Sequence, residues 1–432
     1  MHYNNELKKK PLNVFFLKEN PLNYKYIRML RLFCYSVGIW PGDYLDEKMS
    51  KVFHYYLKSV PLQIAVVFIG EVNYLLQRWK TIDFYTLGEV LINILLTIVT
   101  SVSVRIIYPN LRLYGMTWRR FIKDFHLGNY TQHGRNYEKV AHRMNKISHY
   151  YTLVMISVIF LGVLLFNLSP LWSNISNGAF VTTRSQNVTL RFSVSYEFRG
   201  FKPEDNFELV TLLNLYLTYS CTIIICTQDL FLILLCLQIV GHQLVLGYNL
   251  DDHPKPERRM FLKKSTSEEK IDILIEKYSD EENELMHKLL VQSVLHHRYI
   301  SCFVDDVSSF FGPMMGLIYL FDLTCFCLLF LECSQLNSGS LARFGPLTII
   351  SVWQLLQISI IFEIVGTMSE KIENNVYNLP WECMDLRNQR TFLIFFNRIQ
   401  RTMHVTCMGI IPVGLQSMAS VSPLLTLKPD IY

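Results

Sequence analysis

Charged residues are scarce in this sequence. They make up 18% of its 432 residues, whereas 50% are hydrophobic and 13% are aromatic. In soluble domains about a quarter of the residues are charged, so this shortage excludes a soluble multidomain protein and indicates a membrane protein. The sequence also lacks a Walker loop, a GxGxxG fingerprint, a nucleophile elbow and a paired metal-ligand motif. We therefore predict no catalytic residue, no metal site and no cofactor.

The distribution of cysteine and basic residues argues against a disulfide-rich protein and against a nucleic-acid-binding protein. None of the ten cysteines falls in the loop 172–207, and most lie in apolar runs, which argues against a disulfide framework. The net charge of +5 is small, and the basic residues are not interleaved with aromatic ones, so nucleic acid is not a predicted partner. His296 and His297 are adjacent and would point about 100° apart on a helix, which disfavours a shared metal ion.

A cleavable signal peptide is not evident. The first 31 residues are rich in lysine and arginine, and the first long apolar run comes only after Tyr55. The first apolar span is therefore expected to act as its own insertion signal.

Seven apolar stretches have the roughly 20 residues that a helix needs to cross a bilayer. They cover residues 56–77, 84–108, 150–171, 209–232, 311–332 and 344–367, and a last stretch from 408 to near the C-terminus. Lysine and arginine crowd the N-terminal segment and the loops 110–146 and 251–298, whereas the alternating loops carry few. By the positive-inside rule we predict an all-α membrane protein with seven transmembrane helices, a cytoplasmic N-terminus and an extracellular C-terminus.

The predicted organisation has five segments. They are a cytoplasmic N-terminal segment with an amphipathic helix (1–55), spans one to four with an extracellular loop at 172–207 (56–250), a cytoplasmic helical region (251–310), spans five and six (311–376), and an anchor helix with a pore-lining seventh span (377–432). In the first segment, Ile27, Leu30, Cys34 and Val37 share one helical face, so this helix is expected to lie against the inner membrane surface or the bundle.

The cytoplasmic region is predicted to be helical. The fourth span keeps its helical spacing to about Leu250, where Asp251 and Pro254 end it. Thr266 and Glu269 have the spacing of a capping box, which predicts another helix that carries Ile271, Leu274 and Ile275 and runs on to the fifth span. With the basic amphipathic stretch 390–401, these helices are expected to form a cytoplasmic collar, the anchor region.

Two glycosylation triplets lie in the predicted extracellular loop. They begin at Asn174 and Asn187, and either asparagine is a predicted acceptor. A third triplet, at Asn129, lies on the cytoplasmic side and is expected to stay unmodified.

Five acidic residues lie inside apolar runs or at their ends: Glu71, Glu89, Asp229, Asp322 and Glu363. A charge at mid-membrane costs about 3 kcal/mol unless it faces protein or water, so each is predicted to face inward. An inward-facing acid can pack against other helices or line a water-filled path, and both interpretations stay open.

The last apolar run is predicted to restart as a helix at Gly409 to Pro412. In that helix, Val413, Gln416, Ser417 and Ser420 fall on one narrow arc. Small polar residues on a membrane helix are typical of close helix packing and of a wetted pore wall, and both interpretations stay open here.

Two motifs carry a resemblance to a known family. Tyr377 precedes Trp381 by four residues, and a basic amphipathic helix, Gly409 and the run Pro412-Val413-Gly414-Leu415-Gln416-Ser417-Met418 follow. Near the other end, Met29-Leu30-Arg31-Leu32 is followed by Gly38-Ile39-Trp40-Pro41. In these motifs and in its span layout the chain resembles insect odorant receptors. It departs from them after Val421, where Pro423 and Pro429 disfavour a continuous helix, so no gate residue is carried over from the family.

The resemblance implies a function and partners. It implies an olfactory receptor subunit of the plasma membrane of olfactory sensory neurons, embedded in lipid, which forms a heterotetrameric nonselective cation channel with the odorant receptor co-receptor. The chain resembles an odorant-binding tuning subunit, because the co-receptor has a much longer cytoplasmic segment before the fifth span. The polar arc Val413, Gln416, Ser417 and Ser420 would then line the pore.

The family binds odorants in the outer part of the bundle, between the second, third, fourth and sixth spans. At this level Phe160, Tyr216 and Trp353 lie at similar depths of about 10–17 Å in their spans. With Gln354 they are the predicted ligand-binding residues, the Tyr216 hydroxyl or Gln354 serving as the polar handle, and ordinary core packing is the alternative. The predicted ligand is a volatile, mostly apolar molecule with one ester, alcohol or carbonyl group.

Three other classes of membrane protein fit the sequence less well. A gustatory receptor channel is the nearest alternative, but the terminal aromatic and Gln-Phe signature of that family is missing. A G-protein-coupled receptor has an extracellular N-terminus, which the loop charges oppose. A transporter would be expected to show an internal repeat, and none is visible.

Overall fold

Long α-helices dominate the described part of the chain. The computed structural model describes residues 20–82, 84–107, 111–180, 190–201, 203–256, 259–266, 269–334, 338–407 and 411–412. Its helices are α1 (Lys25–Ser36), α2 (Lys51–Arg78), α3 (Phe84–Ile107), α4 (Leu111–Arg119), α5 (Arg135–Ser176), α6 (Phe207–Asp251), α7 (Asp280–Ser334), α8 (Ser338–Tyr377) and α9 (Leu386–Ile399). Two short antiparallel hairpins join them: β1 (Arg259–Thr266) with β2 (Glu269–Glu276), and β3 (Thr406–Cys407) with β4 (Ile411–Pro412).

Six of the described helices are long and apolar enough to cross a membrane. They are α2, α3, α5, α6, α7 and α8, and each contains one of the first six predicted spans, apart from the last residue of the second. This confirms the all-α membrane fold. Several of these helices are longer than a bilayer is thick: α6 has 45 residues, about 67 Å at 1.5 Å per residue. The predicted continuation of the fourth span to Asp251 is confirmed.

Helix α6 forms the centre of the bundle. Residues 223–243 are all buried, and the helix packs against α1, α3, α5, α7 and α8. A helix that is apolar on every side has no preferred outward face, so it is most stable where neighbours cover it completely. The surrounding helices instead keep exposed apolar surfaces, such as Leu62, Leu164 and Ile349, which suit contact with lipid.

The N-terminal motif closes helix α1 and fixes it to the bundle. The predicted face is confirmed, since Ile27, Leu30, Cys34 and Val37 are all buried. Gly38 has a φ of 75°, in the left-handed region that glycine adopts easily, and the Ile39 amide donates to the Cys34 carbonyl at 2.8 Å.

The tryptophan and arginine of the same motif meet at one carboxylate. The Trp40 Nε1–H donates to Glu47 Oε2 at 2.9 Å, and Arg31 Nη2 lies 3.1 Å from the same oxygen. The Trp40 side chain is buried against Trp118, with 5.1 Å between ring centroids. The motif therefore stabilises the C-terminal end of α1 through local contacts.

The helix predicted after Thr266 is not found. Residues 269–276 form strand β2, which pairs with β1 in a register that places Phe261 opposite Leu274. Ile271, Ile273 and Ile275 alternate with period two and are β-branched, which favours a strand over a helix. The capping box lies further on, at the start of α7: the Ser279 amide donates to Glu282 Oε2 at 2.6 Å, and the Glu282 amide donates to Ser279 Oγ at 3.3 Å.

The predicted amphipathic approach to the last span is helix α9. Phe392, Phe395 and Ile399 are buried on one face, and the Asp385 carboxylate caps its first turn by accepting from the Asn388 amide at 2.9 Å. The two aromatic residues of the C-terminal motif pack onto this helix. Tyr377 lies 6.0 Å from Phe396, and Trp381 stacks on Phe392 at 5.7 Å, measured between ring centroids.

The predicted seventh span lies almost wholly outside the described residues. Ile411 and Pro412, where the helix was predicted to restart, instead form strand β4 and pair with Cys407 and Thr406. Proline has no backbone N–H to donate to the preceding turn, and a short extended pairing at this point does not need one.

Candidate functional site

A partly open cavity of about 170 Å³ lies within the bundle, lined by residues of α3, α5, α6, α7 and α8. Its walls come from residues spaced three or four apart on each helix, which is the spacing of a single helical face. They include Met155, Ile159, Gly162, Val163 and Phe166 on α5, Thr218, Thr222, Cys226 and Asp229 on α6, Asp322, Cys325 and Leu329 on α7, and Leu347, Ile350, Ser351 and Gln354 on α8.

Most of the wall is apolar, and one glycine widens it. Gly162 lies in the middle of α5, facing α8. A methyl group on Gly162 would lie 3.8 Å from Ile350 Cδ1, with no nearer contact. A side chain larger than methyl would therefore extend into the cavity.

A few polar groups interrupt the apolar wall. Gln354 Nε2 donates to Cys226 Sγ at 3.3 Å. Asp229 and Asp322, which are 3% and 7% exposed, both line the cavity. The inward orientation predicted for these two acids is confirmed, as it is for Glu71, which is 1% exposed.

The structure does not bring the four predicted ligand-binding residues together. Gln354 lines the cavity. Phe160 and Trp353, at 52% and 45% exposure, are outside its lining, and Phe160 instead meets Phe33 of α1 edge-on, with 5.9 Å between ring centroids.

Tyr216 lies against a different and much smaller cavity of about 20 Å³. Its hydroxyl donates to Gln63 Oε1 at 3.0 Å and lies 3.1 Å from the Tyr56 hydroxyl. These contacts tie α6 to α2, which is a structural role.

The sequence alone did not predict most of the residues that line this cavity. Trp353 and Gln354 are neighbours and point about 100° apart, so only one of them can face the cavity. The signal that did identify cavity residues was the presence of acids inside apolar runs, which pointed to Asp229 and Asp322.

Comparison with known proteins decides the family. Residues 84–424, well over half of the chain, match the family model described as 7tm Odorant receptor. The chain belongs to the odorant receptor family. This membership decides against the gustatory and G-protein-coupled alternatives, and the family is one of receptors rather than enzymes.

Two solved structures resemble this receptor along nearly its whole length. The insect olfactory receptor OR5 from Machilis hrabei matches with a TM-score of 0.69 and 14% identity, covering 93% of this chain and 95% of that one. The same protein in complex with eugenol matches with a TM-score of 0.68 and 13% identity, covering 94% and 97%. At this identity the likeness concerns the fold. No curated protein matches the sequence significantly.

The predicted pore residues of the receptor, Val413, Gln416, Ser417 and Ser420, lie outside the described residues, as does Asn187. Asn174 is described, and its side chain is 1% exposed. Its Nδ2 donates to the Arg191 carbonyl at 2.6 Å, and its Oδ1 accepts from the Arg191 amide at 2.8 Å. Because a glycan would need the Asn174 nitrogen free and accessible, this geometry argues against the acceptor predicted at this position.

A second polar cluster of the receptor lies in the helical extensions beyond the spans. His242 Nδ1 lies 3.0 Å from His296 Nε2, and His242 Nε2–H donates to the Phe125 carbonyl at 2.7 Å. Burial first, and then His296, lowers the pKa of His242 to about 3, so the ring is neutral at pH 7. His297 points elsewhere and meets Phe395 edge-on, with 5.7 Å between ring centroids. The adjacent histidines therefore diverge, as predicted.

Proposed function

We propose that this odorant receptor is a tuning subunit that binds a volatile, mostly apolar odorant in the cavity between α3, α5, α6, α7 and α8. Binding would gate a nonselective cation channel formed with the odorant receptor co-receptor. The observation that carries the proposal is the apolar cavity with a few polar groups in its wall, which is the usual form of a small-molecule site.

The size of the cavity supports a small ligand. An apolar cavity of about 150 Å³ is known to take up benzene, so 170 Å³ suits a molecule of that size or slightly larger. Gln354 and Ser351 in the wall can hydrogen-bond one polar group, such as an ester, alcohol or carbonyl.

The proposed orientation places the N-terminus in the cytoplasm, and it rests on the charges of the loops. An epitope tag before α1 should be inaccessible to antibody in intact cells and accessible after permeabilisation. Labelling of intact cells would overturn this orientation.

The proposed subunit contact is supported by helix α9. Leu386, Leu393 and Ile394 are 64%, 65% and 71% exposed there, although all three are large and apolar. Exposed apolar surface of this kind marks a contact site. In the resembled family this region joins the subunits, so we place the contact with the co-receptor here.

Co-expression in cells that lack other odorant receptors tests the channel. Volatile odorants should evoke a cation current when both subunits are present and none when this receptor is expressed alone. An odorant response of the same size without the co-receptor would overturn the heteromer.

Cysteine substitutions test the proposed pore residues. On a pore-facing arc, Gln416→Cys and Ser420→Cys should react with water-soluble thiol reagents faster in the presence of odorant, and the current should fall. Leu415→Cys and Ala419→Cys, on the opposite side, are the matched controls. Equal reactivity on both sides would remove the arc from the pore.

A further inference from the structure

The cavity carries two acidic groups whose negative charge the proposed ligand would not neutralise. Asp229 and Asp322 project from neighbouring helices into the same apolar space, and they are 3% and 7% exposed. An ester or carbonyl group offers only hydrogen-bond acceptors and an alcohol offers a single O–H donor, and none of the three supplies a positive charge to pair with a carboxylate.

The two carboxyl groups have no cationic partner among the residues that the structure describes. The described residues that line the cavity include no lysine, arginine or histidine. No ion pair to Asp229 or Asp322 is found in the described part of the chain. Asp229 Oδ1 is fully buried, and no described group donates a hydrogen bond to it.

Buried carboxylates without a partner are costly, and structures normally pair them with a cation or satisfy them with donors. A ligand that supplies an ammonium group would satisfy both requirements, since it carries a positive charge and three N–H donors. The rest of such a ligand would be apolar and small, because the remaining wall is apolar and the cavity measures about 170 Å³.

We propose that this cavity selects small volatile amines with a compact apolar skeleton, and that Asp229 and Asp322 bind the amine nitrogen. This inference rests on the proposed function, since it assumes that the cavity is the odorant site. The ligand would then carry a positive charge in place of an uncharged polar group.

Three compounds with the same ring test the proposal: benzylamine, benzyl alcohol and toluene. Currents are recorded from the receptor co-expressed with the co-receptor over a range of concentrations. Hydrogen bonds to charged groups predict that benzylamine acts at a concentration at least about tenfold lower than toluene. Equal sensitivity to all three compounds would overturn the proposal.

Neutral and charge-preserving substitutions at Asp229 and Asp322 distinguish a role in amine binding from a role in folding. Asp229→Asn and Asp322→Asn should each raise the benzylamine concentration for half-maximal current by about tenfold or more relative to that for toluene. Asp229→Glu should keep the preference for the amine. Asp205→Asn removes an exposed carboxylate before α6 and serves as the matched control.

Surface labelling of each variant shows whether it reaches the membrane. If Asp229→Asn at normal surface density loses its responses to benzylamine and toluene equally, the residue is structural and the proposal fails. If other odorants of similar size open the channel and benzylamine does not, the amine inference fails while the proposed function stands. If no volatile compound opens the channel, the proposed function itself fails.

Discussion

Filling the cavity from Gly162 is predicted to block odorant responses without unfolding the receptor. The glycine lies in the wall of α5, and its first side-chain carbon would make only an ordinary contact with Ile350, at 3.8 Å. A leucine side chain would place its remaining carbons in the 170 Å³ that the ligand needs. Both leucine and alanine also favour a helix over glycine, by about 0.5–1 kcal/mol.

The loss of odorant sensitivity depends on how much of the cavity the new side chain at position 162 occupies. Each buried CH₂ of ligand is worth about 0.8 kcal/mol. Gly162→Ala adds a carbon that makes only an ordinary contact and should weaken the response by less than about fourfold, whereas Gly162→Leu, which places three further carbons in the cavity, should weaken it by about 2.4 kcal/mol, or roughly 60-fold.

The assay is a concentration–response series for several odorants in cells that express both subunits, with surface labelling and the melting temperature of the purified receptor. Leu164→Phe changes a residue that is 58% exposed on the same helix and outside the cavity lining, so it is the matched control. A Gly162→Leu receptor with normal surface density and unchanged sensitivity would show that odorants bind elsewhere.

Three further predictions concern the fold around the site. Gly38→Ala should lower the melting temperature by an amount equivalent to about 1 kcal/mol, because alanine is strained at a φ of 75° and its methyl group would lie 3.1 Å from the Tyr56 ring; an unchanged melting temperature would contradict the strain. The pKa of His242 is lowered to about 3 in the folded receptor, so unfolding takes up a proton below the ordinary value of about 6.5. Its contribution to stability is therefore complete above that pH, and it falls by about 1.4 kcal/mol per pH unit on acidification. The melting temperature should depend less on pH between pH 7 and pH 5 in His242→Gln than in the wild-type receptor. His133→Gln changes an exposed ring and should keep the wild-type dependence, so equal pH dependence in the two variants would refute the assignment. Asn174 should carry no glycan in the folded receptor, which mass spectrometry of its tryptic peptide can check; a glycosylated Asn174 would show that the contact with Arg191 does not form.

Two sequence predictions of local structure differ in outcome for a physical reason. The end of α1 was predictable, because Gly38 and Trp40 act on neighbouring residues through backbone geometry and a nearby carboxylate. The helix expected at Thr266 was not found, because the capping spacing is a weak local signal and the β-branched residues that follow it favour a strand.

The sequence alone determined where the first six membrane helices lie, because a long apolar run can bury its backbone polar groups only as a helix in lipid. It also identified Asp229 and Asp322 as inward-facing, since charge is too costly against hydrocarbon.

Only the tertiary structure decided which residues share the cavity. Phe160, Trp353 and Gln354 were placed at similar depths, but the rotation of each helix about its axis is set by packing against its neighbours, and it turns Gln354 inward and the two aromatic residues outward. Asn174 shows the same principle: its triplet reads as a surface acceptor, and its burial depends on Arg191, 17 residues away along the chain. The depth of a residue in the membrane follows from the local composition of its helix. The direction in which its side chain faces depends on contacts between helices, which the sequence of one helix does not encode.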